Sequence, residues 1–216
     1  MAAYNEAKTI KDVVEELLYF YPHVVVVDDG SYDKTSAEIS CSKATLLRHV
    51  INVGQGAALQ TGITYSLRVG AKIIVTFDAD GQHCANDIAK LVQPIIEGQV
   101  DIALGSRFLG QAEDIPISRI VLLKCGILFT RLVSGVALTD VHNGLRAFSR
   151  RFAEKLNIHI NRMAHASEII DQIKQNFFYA EVPVRLRYTE YSRNKGQNAL
   201  GAFKIIADYI LERIIR

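Results

Sequence analysis

The sequence predicts an α/β protein with a mostly parallel sheet that is flanked by helices. Residues 23–27 and 71–77 are two continuous apolar runs, rich in β-branched side chains, and each is followed by an acidic turn. Runs without polar alternation are typical of strands that are buried on both faces of a parallel sheet. Segments with helical spacing of their apolar residues separate the runs, and this alternation defines the α/β class.

The predicted elements of the first half follow one another closely. Apolar residues at Ile10, Val13, Val14, Leu17 and Leu18 predict a helix over 8–21. The elements that follow are strand 23–27, helix 56–69, strand 71–77, helix 87–97 and strand 100–104. Ligands of such sheets bind beyond the carboxyl ends of the strands, so the polar turns after these three strands are expected to share one site.

The second half is predicted to be mostly helical. Its elements are an apolar helix over 117–136, a helix over 164–175, an edge strand over 179–188 and an amphipathic carboxyl-terminal helix over 199–215. Pro183 favours an edge position, because proline cannot donate a hydrogen bond to a neighbouring strand. Only three residues precede the turn at Tyr4-Asn5-Glu6, so the first strand is expected to be truncated or replaced by another element.

Composition limits the classes of function. The 216 residues, 49% of them hydrophobic, suffice for one domain over 1–216 with one sizeable core. A formal net charge of +2 argues against bulk binding of nucleic acid. The three cysteines are far apart and form no CxxC pair, which fits a reducing compartment. Charges interrupt the longest apolar stretch, 120–138, so a cytoplasmic protein is expected, either soluble or at a membrane surface.

The turn Asp78-Ala79-Asp80 is the sharpest chemical signal. Gln82 and His83 follow it directly. Two carboxylates that flank one residue in a tight turn can share a hard cation, with amide or water oxygens completing its coordination. Such a cation neutralises a diphosphate leaving group. The alternative interpretation is an ordinary Asp-Gly turn.

Two further motifs are candidates for nucleotide binding. Asp28-Asp29-Gly30-Ser31 has the carboxylates to hold a base and ribose, or is merely the start of a helix. The segment 52–58 opens a helix with two glycines, so its amino terminus favours phosphate, although a tight strand-to-helix turn explains it nearly as well.

Cations and further carboxylates lie downstream. Arg107 and Arg119 carry guanidinium groups, which suit phosphate, and segment 191–197 is either a cationic lid or a solvated loop. Asp140 is a candidate general base, or it pairs with Arg146 structurally. Glu168 is the second candidate base, with a helix-surface carboxylate as the alternative.

Together these motifs resemble family 2 glycosyltransferases of the Rossmann-like GT-A fold, especially the dolichol-phosphate mannose synthase branch. The resemblance covers nearly the whole chain, and its motifs occur in the family's order. They are Ala3-Tyr4-Asn5-Glu6, Val27-Asp28-Asp29-Gly30-Ser31, Asn52-Val53-Gly54-Gln55-Gly56, Asp78-Ala79-Asp80-Gly81-Gln82-His83, Gly105-Ser106-Arg107 and Glu181-Val182-Pro183-Val184.

The resemblance implies a role for each motif. Tyr4, Glu6 and Asp29 would contact the nucleoside, and Asp78, Asp80 and Gln82 would bind Mg²⁺ or Mn²⁺ and through it the diphosphate. Arg107 and Arg119 would meet an acceptor phosphate, while Arg193 and Lys195 would belong to a closing loop. The other predicted substrate-binding residues stand in the same motifs: Ala3, Asp28, Gln55, Gly56 and Ala79.

The implied reaction is an inverting displacement that moves a sugar from a UDP- or GDP-sugar to an acceptor. The preferred acceptor is a polyprenyl phosphate, such as dolichyl or undecaprenyl phosphate. A phosphate is already anionic near neutral pH, whereas a sugar hydroxyl needs a general base. The alternatives are a saccharide acceptor in cell-surface polysaccharide synthesis, a nucleotidyltransferase, and a nucleotide-sugar binder without activity.

A membrane surface is the expected location of this reaction. The apolar helix over 117–136 carries Lys124 and Arg131 seven residues apart, hence on one face, and the carboxyl-terminal helix is also basic. Both are suited to lie on the inner face of a bilayer. The alternatives are ordinary core packing and a homodimer interface.

Overall fold

The computed structural model describes residues 1–113, 117–161, 164–173 and 177–187. Its strands are β1 Ala2–Ala3, β2 Val25–Asp28, β3 Thr45–Arg48, β4 Ile73–Thr76, β5 Ile102–Glu113, β6 Arg146–Ser149 and β7 Tyr179–Arg187. Its helices are α1 Ile10–Phe20, α2 Thr35–Ser40, α3 Gln55–Arg68, α4 Asp87–Ile96, α5 Ile117–Ser134, α6 Arg150–Ala153 and α7 His165–Ile173.

The strands form two sheets whose neighbouring edges meet at the carboxyl end of β4. One sheet has the order β1-β2-β3 and is parallel throughout. The other has the order β4-β6-β5-β7, in which β7 is parallel to β5 and β6 is antiparallel to both of its neighbours. A parallel bridge between Ala2 and Asp78 joins β1 to the residues that follow β4. The predicted α/β class with a mostly parallel sheet is confirmed.

Helices cover both faces because side chains alternate along each strand. On one face, Ile10 and Val14 of α1 and Leu91 of α4 form an apolar cluster with Val26 of β2. On the opposite face, helices α3, α6 and α7 pack on the sheet, and Phe152 and Ile170 belong to that cluster. The two clusters hold the strands in a sandwich of helix, sheet and helix, and they leave the strand ends for the site.

The predicted helices of the described residues are present, whereas several strands differ from expectation. Strands β3 and β6 were not predicted; each is as short as β2 and β4, and β6 begins with a buried arginine. Strand β5 runs to Glu113, so the prediction that it ends at Leu104 was wrong and Arg107 lies within the strand. The pairing of β5 with β7 beyond Leu104 accounts for the extension.

The two ends of the chain complete the comparison. The expected replacement for the first strand is the two-residue β1, which pairs with Val27 and Asp28 of β2. The predicted carboxyl-terminal helix lies outside the described residues. Among the helices that the structure describes, none is long and apolar enough to cross a membrane.

Candidate active site

A cavity of about 650 Å³ opens where β1, β2 and β4 end. Most of the residues that the sequence assigned to the site line it: Ala3, Tyr4, Glu6, Asp29, Gln55, Asp78, Ala79, Asp80, Gln82 and Arg107. Other described lining residues are Ala2, Asn52, Gly54, His83, His142, Gly144 and Leu186. Motifs that are as far as 100 residues apart in the sequence therefore meet at one site, as the strand-end argument predicts.

The acidic turn after β4 is held from several sides. His83 Nε2 lies 3.0 Å from Asp78 Oδ2, and Gln55 Nε2 approaches Asp78 Oδ1 at 3.5 Å. The backbone N–H of Gln82 donates to Asp80 Oδ1 at 3.0 Å, and Thr9 Oγ1 donates to the carbonyl oxygen of Ala79 at 2.9 Å. The two carboxylates therefore share a fixed turn beside the cavity.

The pKa values of the two carboxyls move in opposite directions. Burial alone raises the pKa of Asp78, but the hydrogen bond from His83 and the nearby charges of His83, His165 and Arg146 lower it on balance. Burial and the negative charge of Asp78 raise the pKa of Asp80 to about 6. The ionised pair is thus self-repelling, and a divalent cation would relieve that repulsion.

Protein ligands alone do not complete a metal centre at this turn. In the described ranges, no group of three or more His, Cys, Asp and Glu side chains is arranged to hold a metal ion. The two carboxylates and the Gln82 amide at the cavity are nevertheless the oxygen donors that Mg²⁺ and Mn²⁺ prefer. These residues would fit a divalent cation, which would need further ligands in addition to them.

Gly144 is a lining residue that the sequence did not reveal. The Thr76 hydroxyl donates to its carbonyl oxygen at 2.7 Å, which brings the glycine against Asp78. A Cβ atom added here would lie well inside van der Waals contact with both carboxylate oxygens of Asp78. A side chain at this position would therefore force the Asp78 carboxylate to move, although Asp78 lies 66 residues earlier in the sequence.

Asp29 organises the loop that precedes α3. Its Oδ1 accepts from His49 Nδ1 at 2.7 Å and from the Val53 N–H at 3.0 Å. Its Oδ2 accepts from Asn52 Nδ2 at 2.9 Å and from the Gly54 N–H at 2.7 Å. The Asp29 carboxylate thus holds the two residues that directly precede α3, which makes this loop a tight strand-to-helix turn. Asn52, Gly54 and Gln55 of the same segment line the cavity, so phosphate binding at this segment stays a prediction.

Two predicted substrate-binding residues do not line the cavity. Asp28 is fully buried, and its carboxylate accepts from the Ser31 N–H and the Ser36 hydroxyl. Gly56 packs against the carbonyl oxygen of Ile160, where a Cβ would not fit. Asp28 therefore holds the residues that follow β2 by hydrogen bonds, and Gly56 allows α3 to approach the loop at Ile160.

Asp140 is paired with Arg107 and not with Arg146. Arg107 Nε lies 2.6 Å from Asp140 Oδ2, and both side chains are almost completely buried. Arg146 donates instead to the carbonyl oxygens of Asn143 and Val141, at 2.9 and 3.1 Å. Burial lowers the pKa of Arg146 to about 10, so it remains a cation at neutral pH.

Glu168, the second candidate base, is not among the described lining residues of the cavity. Its Oε2 accepts from the backbone N–H groups of His159 and Ile160 at 3.0 and 2.8 Å. The residue that follows, Asn161, accepts from the Gly56 N–H at 2.8 Å. The carboxylate therefore holds a loop against the start of α3.

The remaining predicted residues are the cations. Arg119 lies in the first turn of α5, and Arg193 and Lys195 lie outside the described residues. Strand β7, which precedes them in the chain, ends at the acidic turn: the Arg187 N–H donates to the Gln82 carbonyl oxygen at 3.0 Å.

Two known proteins are similar to this chain over most of its length. A UDP-N-acetylglucosamine–dolichyl-phosphate N-acetylglucosaminyltransferase from Methanococcus voltae is 37% identical over 94% of this chain and 90% of its own length. A polyprenol monophosphomannose synthase from Mycolicibacterium smegmatis is 29% identical over 95% of this chain and 83% of its own length.

A solved structure shares the fold. Glucosyl-3-phosphoglycerate synthase from Mycobacterium tuberculosis, in complex with Mn²⁺ and UDP-glucose, gives a TM-score of 0.76 at 19% identity. The match covers 98% of this chain and 76% of the synthase. The family model described as glycosyl transferase family 2 matches residues 1–156. On the sequence match, the shared fold and the acidic turn at the strand ends, this chain belongs to glycosyl transferase family 2.

Proposed function

We propose that this chain transfers a sugar from a UDP- or GDP-sugar to a polyprenyl phosphate, with Mg²⁺ or Mn²⁺ at the Asp78–Asp80 turn. The names of the relatives support a lipid-phosphate acceptor, and they cover two different sugars. The synthase of similar fold was crystallised with Mn²⁺ and UDP-glucose, which supports the metal and the donor class. An inverting displacement at the anomeric carbon is the reaction that follows from the family resemblance.

The donor would lie along the cavity from the acidic turn to Tyr4. Asp78 and Asp80 would hold the cation, with Gln82 as a further oxygen ligand. The cation supplies positive charge to the diphosphate as it leaves. Asp78 is oriented for this task by His83, and Tyr4, Glu6 and Asp29 form the end of the cavity that suits the nucleoside.

The observation that carries the acceptor assignment is where the two candidate bases lie. Asp140 is held by Arg107, and Glu168, which is not among the described lining residues, accepts from the backbone of a loop. A sugar hydroxyl must lose a proton as it attacks, whereas a phosphate is already anionic. Arg107, which lines the cavity, offers the guanidinium group that phosphate prefers, and Arg119 is proposed to assist it.

The cationic segment with Arg193 and Lys195 is proposed to close over the diphosphate. The supporting observation is that β7 ends at Gln82, beside the acidic turn. Arg193 is six positions after Arg187, which is a reach of up to ~20 Å in extended chain. A guanidinium and an ammonium group brought there would neutralise phosphate charge.

The activity is tested by incubating the protein with Mn²⁺, a panel of UDP- and GDP-sugars, and either a short-chain polyprenyl phosphate or a saccharide acceptor. We expect one donor to give a glycosyl phosphate product and EDTA to stop the reaction. Transfer to the saccharide alone would favour the polysaccharide alternative. Donor binding without transfer or hydrolysis would make the chain a binding protein, contrary to the proposal.

Membrane contact is proposed for α5. Val121, Lys124, Leu128 and Arg131 are exposed, and their spacing places them on one helical face. Helix α5 carries no acidic residue, so this face suits the anionic inner surface of a membrane. The alternative use of such a face is a homodimer interface, which a sedimentation measurement would reveal.

Reversing two charges on that face is expected to weaken membrane binding. Lys124→Glu with Arg131→Glu should abolish co-flotation with anionic vesicles, because each cation near such a surface contributes ~1 kcal/mol. The matched control reverses Lys11 and Lys155, which are exposed on other elements. Absence of flotation by the unaltered protein, or equal losses in both double variants, would refute the contact.

Replacing Gly144 with alanine is expected to displace the Asp78 carboxylate. Turnover should fall by about a hundredfold, since a shift of ~1 Å in a catalytic group has effects of that size. Gly62→Ala is the control, because a Cβ there meets only a Val27 methyl group at 3.3 Å. Normal metal-dependent turnover in Gly144→Ala would show that the position of Asp78 is not critical.

A further inference from the structure

Strand β7 contacts two separate parts of the cavity wall. At its carboxyl end, Leu186 forms a bridge with His83 beside the acidic turn. Nearer its start, Glu181 points to the turn formed by Thr139 and Asp140, which precedes β6. Arg107 is held by Asp140 and lines the cavity. We propose that Glu181 is a positioning residue, which sets the place of the Arg107 guanidinium through the Thr139–Asp140 turn.

The first step is the contact between Glu181 and the turn. The Thr139 N–H donates to both carboxylate oxygens at 2.8 and 2.9 Å, and the Thr139 hydroxyl donates to Oε1 at 2.8 Å. The Asp140 N–H also donates to Oε1, at 3.0 Å. Thr139 and Asp140 belong to neither a helix nor a strand. Glu181 therefore supplies the acceptors that a strand partner would otherwise provide.

The second step leads from the turn to Arg107. Asp140 Oδ2 accepts from the Arg107 backbone N–H at 3.1 Å and from Nε at 2.6 Å. The hydroxyls of Ser106 and Thr139 lie 2.7 Å apart, so the turn also contacts the residue before Arg107. A movement of the turn would thus carry the arginine with it.

The third step is that strand pairing does not fix this part of β5. The pairing of β5 with β7 follows one register up to Ser106 and resumes at Gln111 after a shift. Arg107 lies in the interrupted stretch, where the sheet gives no continuous support. The Asp140 carboxylate and the turn behind it supply that support, and Glu181 orders both.

The ligand inferred for the Arg107 guanidinium rests on the proposed function. An Arg group whose Nε is held by a carboxylate is oriented for planar recognition of phosphate. If the chain transfers sugar to a polyprenyl phosphate, Glu181 would act on acceptor binding. The metal turn, which has its own contacts with His83 and Gln82, would be affected less.

The variants follow from the hydrogen bonds. Glu181→Ala removes both carboxylate oxygens that accept hydrogen bonds from Thr139 and Asp140. Glu181→Gln keeps one carbonyl oxygen in the place of Oε1, but its NH₂ group takes the place of Oε2 and cannot accept from the Thr139 N–H. Glu154→Ala is the control, since Glu154 pairs with the Nε of Arg150 at 2.7 Å on the surface.

The direct measurement is solvent exchange of the Arg107 Nε–H in ¹⁵N NMR spectra, assigned by the signal that Arg107→Lys removes. We expect protection in the unaltered protein and in the control, an intermediate exchange rate in Glu181→Gln, and faster exchange by about tenfold or more in Glu181→Ala, as the loss of ~1.4 kcal/mol implies. Unchanged exchange in a folded Glu181→Ala protein would overturn the proposal.

Kinetics provide a second readout. In Glu181→Ala the KM for a short-chain polyprenyl phosphate should rise about tenfold, while the KM for the nucleotide sugar stays within about twofold. In the Arg107→Ala variant, Glu181→Ala should raise the KM for the polyprenyl phosphate no further, because the effects of substitutions at coupled residues are not additive. If the two substitutions instead raised the KM independently, so that their effects multiplied, Glu181 would have only a general stabilising role. Altered exchange without transfer to any lipid phosphate would leave the positioning intact and refute the proposed function.

Discussion

Replacing Asp80 with asparagine is expected to abolish turnover and to stabilise the metal-free protein. Turnover should fall by about a thousandfold or more, since the variant loses a carboxylate that holds the charge opposite the leaving diphosphate. Stability should rise because burial and the charge of Asp78 raise the pKa of Asp80 to about 6. Asparagine keeps the oxygen that the Gln82 N–H contacts and carries no charge.

The sign of the pH dependence follows from that pKa. The folded pKa of about 6 lies above the ordinary aspartate pKa of 3.8, so the folded protein binds the proton more tightly than the unfolded chain. The stabilisation is complete below pH 3.8 and is lost as the pH rises through 6. Asp80→Asn should therefore raise the free energy of unfolding by about 1–3 kcal/mol at pH 8, at 1.36 kcal/mol per pKa unit, and by less at pH 5.

Asp78→Asn is the matched control for this prediction. It should also lose turnover, but it should destabilise the protein, because the hydrogen bond from His83 and nearby positive charges lower the pKa of Asp78 on balance. Urea unfolding without metal at pH 5 and pH 8 measures both variants. Equal changes of stability in the two variants would contradict the electrostatic account of the turn.

Asp29→Ala is expected to have the second-largest effect. The change removes the acceptor of four hydrogen bonds, from His49, Asn52, Val53 and Gly54. Leaving such donors unpaired costs ~1–3 kcal/mol each where they are buried, so the free energy of unfolding should fall by several kcal/mol. The loop before α3 should then lose its shape, and binding of UDP or GDP should weaken by about a hundredfold or more.

Calorimetric titration with nucleotide and Mn²⁺ measures the binding, and urea unfolding measures the stability. In both measurements Asp29→Asn should lie between Asp29→Ala and the unaltered protein, since its amide keeps one acceptor oxygen. Asp12→Ala, which removes an exposed carboxylate from the first turn of α1, should match the unaltered protein. Full nucleotide affinity in Asp29→Ala would mean that the loop does not shape the nucleoside end of the cavity.

The sequence predicted the acidic site because its evidence is local. Asp78 and Asp80 follow a continuous apolar strand, and strand ends of a parallel sheet converge on one edge. The same argument placed Asp29 at this site, and Asp29 lines the cavity; Tyr4 and Gln55, which also line it, were assigned through the family resemblance. It did not separate Asp28 from Asp29, because which of two adjacent carboxylates faces a ligand depends on the neighbouring loop.

The sequence did not allow contacts between segments that are far apart in the chain to be predicted. Asp140 lies six residues from Arg146 but pairs with Arg107, 33 residues away. Gly144 leaves the space that the Asp78 carboxylate occupies. Nothing in the sequence indicates which side chain lies against a glycine. Strand β6 was missed for the same reason, since its pairing with β4 and β5 decides its structure.

Electron paramagnetic resonance of Mn²⁺ tests most directly whether the Asp78–Asp80 turn holds a cation against a nucleoside diphosphate. With UDP or GDP present, the unaltered protein should remove the signal of free Mn²⁺, and Asp78→Asn and Asp80→Asn should remove no more than the nucleotide does alone. Equal binding of Mn²⁺ and nucleotide by all three proteins would contradict the account.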